Sequence, residues 1–382
     1  MGMTGREKIE AAFSQEGTPE IPAVICYEEI YVRDHWEGLT SCPWWYRHVP
    51  EVERQMQWRR DVISKTGHDW FRLELGHSRD ARDSISFEVE GDDVFRFDKR
   101  TMRSERLPRT RVGGWDPTGH LHSARPERLA QSFEEIDAAV PLPADSDPAA
   151  TLADGRGDLA AAMLVEFGRE LYPIFYVTSP LWQCYYLWGF EGMMEMIALR
   201  PEMVRHACER FLAHACESVR LAAALGARGI WIEECMTDVI SPEAFSSLNV
   251  PLVRRLVEEV RAAGMKSIYY YCGSPAGKWE LLFSVGADAL SFEEGKKGFT
   301  IDIEDVVGRT QGRCTLLGNL DAIGLLPNAT EDALRAEISR QILAGRRNGS
   351  RFVMSLGSPV TPATPVERVR LYCDLARELG AR

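Results

Sequence analysis

Short apolar runs that stop in clusters of reactive polar residues recur along this chain, with helix-patterned segments between them. Trp231-Ile-Glu-Glu-Cys235, Lys266-Ser-Ile-Tyr-Tyr-Tyr-Cys-Gly-Ser274, Leu290-Ser-Phe-Glu-Glu294, Leu317-Gly-Asn-Leu-Asp321 and Met354-Ser-Leu-Gly-Ser358 share this form. A strand that is apolar along its whole length is buried on both faces, as in a parallel sheet. Where such strands alternate with helices, their C-terminal ends lie on one face of the sheet or barrel. Five reactive clusters at five strand ends therefore predict one pocket.

The alternation runs through most of the chain. Strands are expected at Ile21–Tyr27, His68–Leu75, Pro173–Val177, Gly229–Ile232, Ser267–Tyr271, Ala289–Phe292, Thr315–Leu317 and Phe352–Ser355. Helical material follows each. The clearest helix opens at Arg200-Pro-Glu, carries Val204, Phe211, Leu212, Ala215 and Val219 on one face, and stops at Gly226. Ser241-Pro242 gives an N-cap and a first-turn proline for another, closed by Gly264. Eight such units predict an α/β chain folded as a (β/α)8 TIM barrel, one domain over residues 1–382. A doubly wound open sheet is the rival, but no GxGxxG follows any strand. Residues 84–125 break the pattern. Ser84–Glu90 and Val94–Phe97 alternate about Gly91-Asp-Asp93 as a β-hairpin, and an Arg-rich, Gly-rich stretch follows, so this segment reads as an insertion.

Composition removes several classes of function. The 382 residues are 45% apolar and 27% charged, ample for a globular core, with a net charge of −12 that disfavours nucleic acid or anionic lipid as partners. No stretch approaches the roughly 20 apolar residues of a membrane helix. The start of the sequence has no apolar signal segment. Nine scattered cysteines without a CxxC suit a reducing cytoplasm. A cytoplasmic protein is expected.

Thr4-Gly-Arg-Glu-Lys8, Gly189-Phe-Glu-Gly192 with Arg200-Pro-Glu202, Leu225-Gly-Ala227, Ile240-Ser-Pro-Glu-Ala-Phe245, Cys272-Gly273, Gly286-Ala-Asp288, Leu317-Gly-Asn-Leu-Asp321 and Thr364-Pro-Val-Glu367 occur in that order. Together they resemble the uroporphyrinogen decarboxylase superfamily over nearly the whole chain. That superfamily holds the decarboxylases of haem synthesis and the zinc-dependent, corrinoid-linked methyltransferases. The resemblance implies a TIM barrel, in agreement with the strand count, and a homodimer, the commonest closed assembly.

Both chemistries lose residues here. The decarboxylases carry Arg-Gln-Ala-Gly-Arg after the first strand to hold an acidic tetrapyrrole, whereas this chain has Cys26-Tyr-Glu-Glu-Ile30. Two carboxylates there would repel those of the substrate. The methyltransferases bind zinc through a His-x-Cys after the fifth strand and a Cys after the eighth. Cys272 matches the first cysteine, but Tyr270 replaces the histidine and Ser358 the second cysteine. A thiolate with carboxylates can still hold zinc. Glu233 or Glu234, Cys235, Cys272 and Glu293 or Glu294 could supply three ligands and leave one position open, with Glu234 preferred to Glu233 because the resemblance places an acid there.

Strand alternation turns one of each glutamate pair inward and the other towards the helices. Cys235 and Cys314 read as packing residues, and Lys296 and Lys297 as neutralising partners of Glu293 and Glu294 in preference to binders of an anionic substrate. His77 reaches the pocket from the second strand end. Asn319 and Asp321 position substrate or cap their loop, and Tyr270 joins the catalytic candidates. About half of Tyr27, Trp182, Tyr185, Tyr186, Trp231, Tyr269, Tyr270 and Tyr271 would line the mouth and accept a flat or apolar ligand, the rest packing in the core. The leading expectation is a methyltransferase for a small substrate, with zinc holding the Cys272 thiolate and a corrinoid on a separate protein, since no Asp-x-His-x-x-Gly motif occurs here. The alternatives are a lyase or decarboxylase of a small acid, and a non-catalytic binding barrel.

Overall fold

In the computed structural model, seven parallel strands form one curled sheet in the order β1 (Trp70–Arg72), β5 (Tyr172–Thr178), β6 (Gly229–Glu234), β7 (Lys266–Tyr271), β8 (Ala289–Phe292), β9 (Thr315–Leu317) and β10 (Phe352–Val353). The structure describes residues 2–109, 112, 129–144, 147–295 and 298–381. Residues 22–24 stand between the two outer strands. Ala23 bridges Met354 in parallel, Val24 N–H donates to the Met354 carbonyl at 2.8 Å, and Asp69 N–H donates to the Ala23 carbonyl at 2.8 Å. The chain thus has a TIM-barrel-like α/β fold.

The expected first strand, Ile21–Tyr27, is reduced to this single bridge. Pro22 has no N–H to give a ladder, and the Ala23 N–H is taken by the Asp69 carboxylate at 2.7 Å. The other seven strands fall where the apolar runs placed them, within a few residues.

The helices begin and end for local reasons. Thr4 and Glu7 form a reciprocal capping box on Gly5–Ala12. Ser179 and Ser241 cap helical turns that open with Pro180 and Pro242. The long helix Pro201–Leu225 buries Val204, Phe211, Leu212, Ala215 and Val219, and ends at Gly226, whose φ of 94° lies in the left-handed region.

The insertion is a three-stranded antiparallel sheet, β2 (Ile85–Glu90), β3 (Asp93–Asp98) and β4 (Arg103–Arg106), so the hairpin expected over 84–97 gains a third strand. Glu90 pairs with Asp93 across a two-residue turn led by Gly91 at φ 62°. Phe87 stacks on Trp45 at 5.5 Å and holds this sheet against the 3-10 turn Trp44–His48. Most of the Arg-rich and Gly-rich stretch up to residue 125 lies outside the described residues. Among the described residues no helix is long and apolar enough to cross a membrane.

Candidate active site

Side-chain parity in the sheet decides which groups reach the mouth. Trp231 stacks on Tyr176 at 5.8 Å and on Tyr270 at 5.0 Å, and Trp70 meets Trp231 edge-on at 5.7 Å. These four rings, from four adjacent strands, fill the barrel interior. Successive side chains alternate across a strand, so Glu233 follows Trp231 inward and Cys272 follows Tyr270, with Glu233 and Tyr270 in register.

Above the rings a small polar cluster forms. The Cys235 sulfur lies 3.8 Å from Glu233 Oε1 and 3.8 Å from the Tyr27 hydroxyl, and it is in side-chain contact with Cys272. Tyr27 packs edge-on to Tyr270 at 5.4 Å. The Tyr270 hydroxyl donates to the Gly357 carbonyl at 3.0 Å, and Cys26 Sγ donates to the Ser358 carbonyl at 3.2 Å. Glu233, Cys235 and Cys272 are half-buried, whereas Trp231 and Tyr270 beneath them are fully buried. Tyr27 and Met236, flanking the cluster, hold φ values of 53° and 62°. Bulky residues enter that region at a cost of about 1–2 kcal/mol, as segments constrained around functional sites do.

The electrostatics raise the Glu233 carboxyl. Burial pushes its carboxyl up to about 7, against the lowering effect of the Tyr27 hydroxyl, with the Glu29 charge adding to the rise. Contact with Cys272 and burial push the Cys235 thiol well up, and burial does the same to the Tyr27 phenol. At neutral pH this cluster therefore holds a neutral thiol and a neutral phenol beside a half-ionised carboxyl.

Glu234 is elsewhere. Its parity turns it into the helix layer, where Oε2 accepts from Asn249 Nδ2 at 2.8 Å and from the Tyr269 hydroxyl at 2.9 Å. The expectation that Glu234 and Cys272 share a ligand is corrected by this geometry. Glu293 faces the mouth side, but its Oε2 accepts the Gly273 N–H at 2.8 Å and straps the ends of β8 and β7 together. Glu294 is buried against the backbone of Gly357. Lys296 and Lys297 lie outside the described residues. Among the described residues no three His, Cys, Asp or Glu side chains form a group that could hold a metal ion. The donor set expected for zinc does not fit, because Glu234 faces the helix layer and Glu293 is taken by the Gly273 N–H.

Asn319 Nδ2 donates to the carbonyls of Glu293 and Ile301 at 3.1 and 2.8 Å, so it ties loops together. Asp321 caps its own loop through the N–H groups of Ile323, Gly324 and Leu325. His77 lines a cavity with Arg47, Glu74 and Arg82, away from Cys272. Burial and the charges of Arg96 and Arg82 hold its imidazole below the usual histidine range. Tyr269 and Tyr271 pack into the helix layer and Tyr186 is largely exposed, so Tyr27 is the ring that reaches the cluster. The ligand surface is less aromatic than expected because rings on the inward parity serve as core.

Sequence reasoning gave Glu233 second place and read Cys235 as packing. The missing signal was parity: had Trp231 been fixed as inward, Glu233 and Cys235 would have followed. It also missed Arg72, which pairs with Glu29 and lies over the Tyr176 ring at 4.7 Å. Beside it Arg59 pairs with Glu74. The carboxylates after the first strand are thus opposed by the half-buried Arg72 and the buried Arg59. Burial still pushes Glu28 up to about 7 and Arg59 down to about 9.

A TIM-barrel-like chain with a cluster of titratable side chains at the C-terminal ends of its strands has the layout in which barrel enzymes place their sites. Residues 158–379 match the family Uroporphyrinogen decarboxylase (URO-D), and the chain belongs to that family. It is 25% identical over 223 residues to the uroporphyrinogen decarboxylase of Ralstonia pickettii, covering 55% of this chain and 59% of that one. It is 28% identical over 189 residues to that of Thermodesulfovibrio yellowstonii, covering 50% and 52%. The match spans a little over half the length of these curated relatives. A solved methyltransferase from Methanosarcina mazei superposes with a TM-score of 0.67 at 16% identity, covering 99% of both chains, a likeness of fold.

Proposed function

We propose that the chain is a methyltransferase-like enzyme that acts on a small substrate at the barrel mouth, with Glu233 as general base. The observation that carries this reading is the Glu233 carboxyl, held near 7 by burial at the inward end of β6, beside Tyr27, Cys235 and Cys272. A base with a pKa near the working pH combines ionised fraction with driving force. In the step proposed, the acceptor's thiol or hydroxyl gives its proton to Glu233 Oε as its heteroatom bonds the methyl carbon. The donor–methyl bond breaks, and the donor leaves with the bonding pair. Tyr27 and Cys235, both neutral, lie beside Glu233. A corrinoid carried on a separate protein is the donor proposed, in keeping with family membership and with the fold shared with a methyltransferase. Cys26-Tyr-Glu-Glu-Ile30, in place of a basic stretch, speaks against an acidic tetrapyrrole.

The test supplies methylcob(III)alamin as donor and a panel of small thiols and alcohols as acceptors, following loss of the cobalt–methyl absorbance. Glu233→Gln should slow turnover by roughly 10²–10⁴-fold, the usual contribution of a general base, while Glu234→Gln keeps it. Equal rates in wild type and Glu233→Gln would remove the base. Consumption of a small carboxylic acid with release of carbon dioxide, and no methyl transfer, would favour the lyase reading.

A further inference from the structure

Three cavities open among the segments that follow the first, second and last barrel strands. One of about 430 Å³ lies between residues 33–38 and residues 362–367. A second, of about 120 Å³, is enclosed by Glu28, Glu29, Arg59, Arg72 and Glu74. A third, of about 180 Å³, runs from Glu74 to His77 and Arg82. Arg47 lines all three, and Gln55 and Glu74 also join the second to the third.

Arg47 is held in place by its backbone. It sits in the turn Trp44–His48, where Gln55 Nε2 donates to the carbonyls of Tyr46, Arg47 and Val49 at 2.8, 3.2 and 2.6 Å. Its side chain, by contrast, has no partner among the described residues. Six arginines line these cavities, and the other five each have a carboxylate: Arg33 with Asp34, Arg59 with Glu74, Arg72 with Glu29, Arg82 with Asp158 and Arg109 with Glu37. Asp34, whose charge reaches Arg47, is taken by Arg33 at 2.7 Å. Arg47 is half-buried, and burial together with the Arg33 charge lowers its pKa. Burial, with the charges of Arg96 and Arg82, likewise disfavours a proton on His77, which lines the third cavity with Glu74.

A partly desolvated guanidinium on a fixed backbone, without a carboxylate among the described residues and at the junction of three cavities, is a seat for an anion. We infer that Arg47 anchors an anionic group, a carboxylate or a phosphate, on the small substrate. The inference rests on the mouth being the active site. The second cavity is walled by Arg72, which lies over the Tyr176 ring, and Tyr176 stacks on Trp231 beneath Glu233. A ligand held at Arg47 thereby extends towards the reacting cluster. Guanidinium suits both anions through paired N–H donors.

Calorimetric titration with succinate and, separately, with inorganic phosphate tests this without turnover. One of the two should saturate in the millimolar range, which identifies the anion, and the binding should weaken with salt. Arg47→Gln should weaken it about tenfold or more, and Arg47→Lys by a smaller factor, because a lysine keeps charge but loses the fork. Arg54→Gln, which removes a guanidinium that lies over Trp45 and Tyr46, should leave it unchanged. If Arg47→Gln does not fold by circular dichroism, the contrast between wild type and Arg47→Lys carries the test. Equal affinity in wild type and the Arg47 variants, or no saturation by either probe, overturns the inference. Glu233→Gln that binds the anion but has lost turnover would support both readings. Turnover lost in Glu233→Gln with anion binding indifferent to Arg47 would sink this one alone.

Discussion

Replacing Glu234 by Gln should change how stability depends on pH and leave catalysis intact. Glu234 is fully buried, and burial pushes its carboxyl from 4.5 to about 7, although hydrogen bonds from Ser179, Asn249, Tyr269 and Thr237 lower it. A carboxyl with a raised folded pKa keeps its proton between those two values while the unfolded chain has lost it. Stability from this group is therefore full below the unfolded pKa, falls as pH rises through about 4.5 to 7, and stays low above. At about 1.36 kcal/mol per unit the shift corresponds to about 3 kcal/mol, an order-of-magnitude figure. The Gln amide oxygen can still accept from Asn249 and Tyr269, and it has no charge to bury. Urea denaturation of both proteins at pH 5 and pH 8 should show Glu234→Gln gaining about 2–3 kcal/mol on wild type between the two. Turnover should be unchanged, because the carboxyl faces the helix layer. A stability difference that is the same at both pH values, or loss of activity with folding intact, would refute the reasoning.

Asn319→Ala leaves two buried carbonyls, those of Glu293 and Ile301, without their donor. It should cost about 2 kcal/mol in urea denaturation; a loss of activity with no loss of stability would instead mean that Asn319 touches substrate. Of the nine free cysteines, Cys216, Cys235 and Cys272 are partly exposed. Brief maleimide treatment mapped by mass spectrometry should modify these three before the buried six, with Cys235 labelled slowly at neutral pH and gaining rate into alkaline pH because its thiol is held well up. Labelling of the buried pair Cys184 and Cys208, whose sulfurs lie 3.4 Å apart, at an equal rate would contradict the packing. Protein purified without chelators should hold well under one zinc per chain, unchanged by Cys272→Ser; stoichiometric zinc lost with that thiol would restore a ligand set that the geometry does not provide.

The barrel was legible because its information is local. Apolar runs, the Ser-Pro starts and Gly226 mark strands and helix ends within a few residues of their final place. The first stave was not, because its pairing is set by Pro22 and by the distant Asp69 carboxylate. The site was legible only as far as its strands: Cys272 was placed at the end of β7, and the choice between Glu233 and Glu234 turned on which face of β6 is inward. That is a tertiary fact, decided when Trp231 packs between Tyr176 and Tyr270. Arg47 carried no sequence signal, since its meaning lies in the carboxylates that its neighbours have and it lacks.

The central claim is that Glu233 is the carboxyl poised near neutrality at the mouth. Carbon-13 NMR of protein labelled at the glutamate side-chain carboxyls, titrated from pH 4 to 9, measures it directly, with Glu233→Gln and Glu234→Gln spectra to assign the two resonances. The resonance missing in Glu233→Gln should titrate with a midpoint near 7, and that midpoint should move when Cys235 or Tyr27 is replaced. A midpoint near 4.5, the ordinary glutamate value, would mean a solvated carboxylate and would contradict the proposed base.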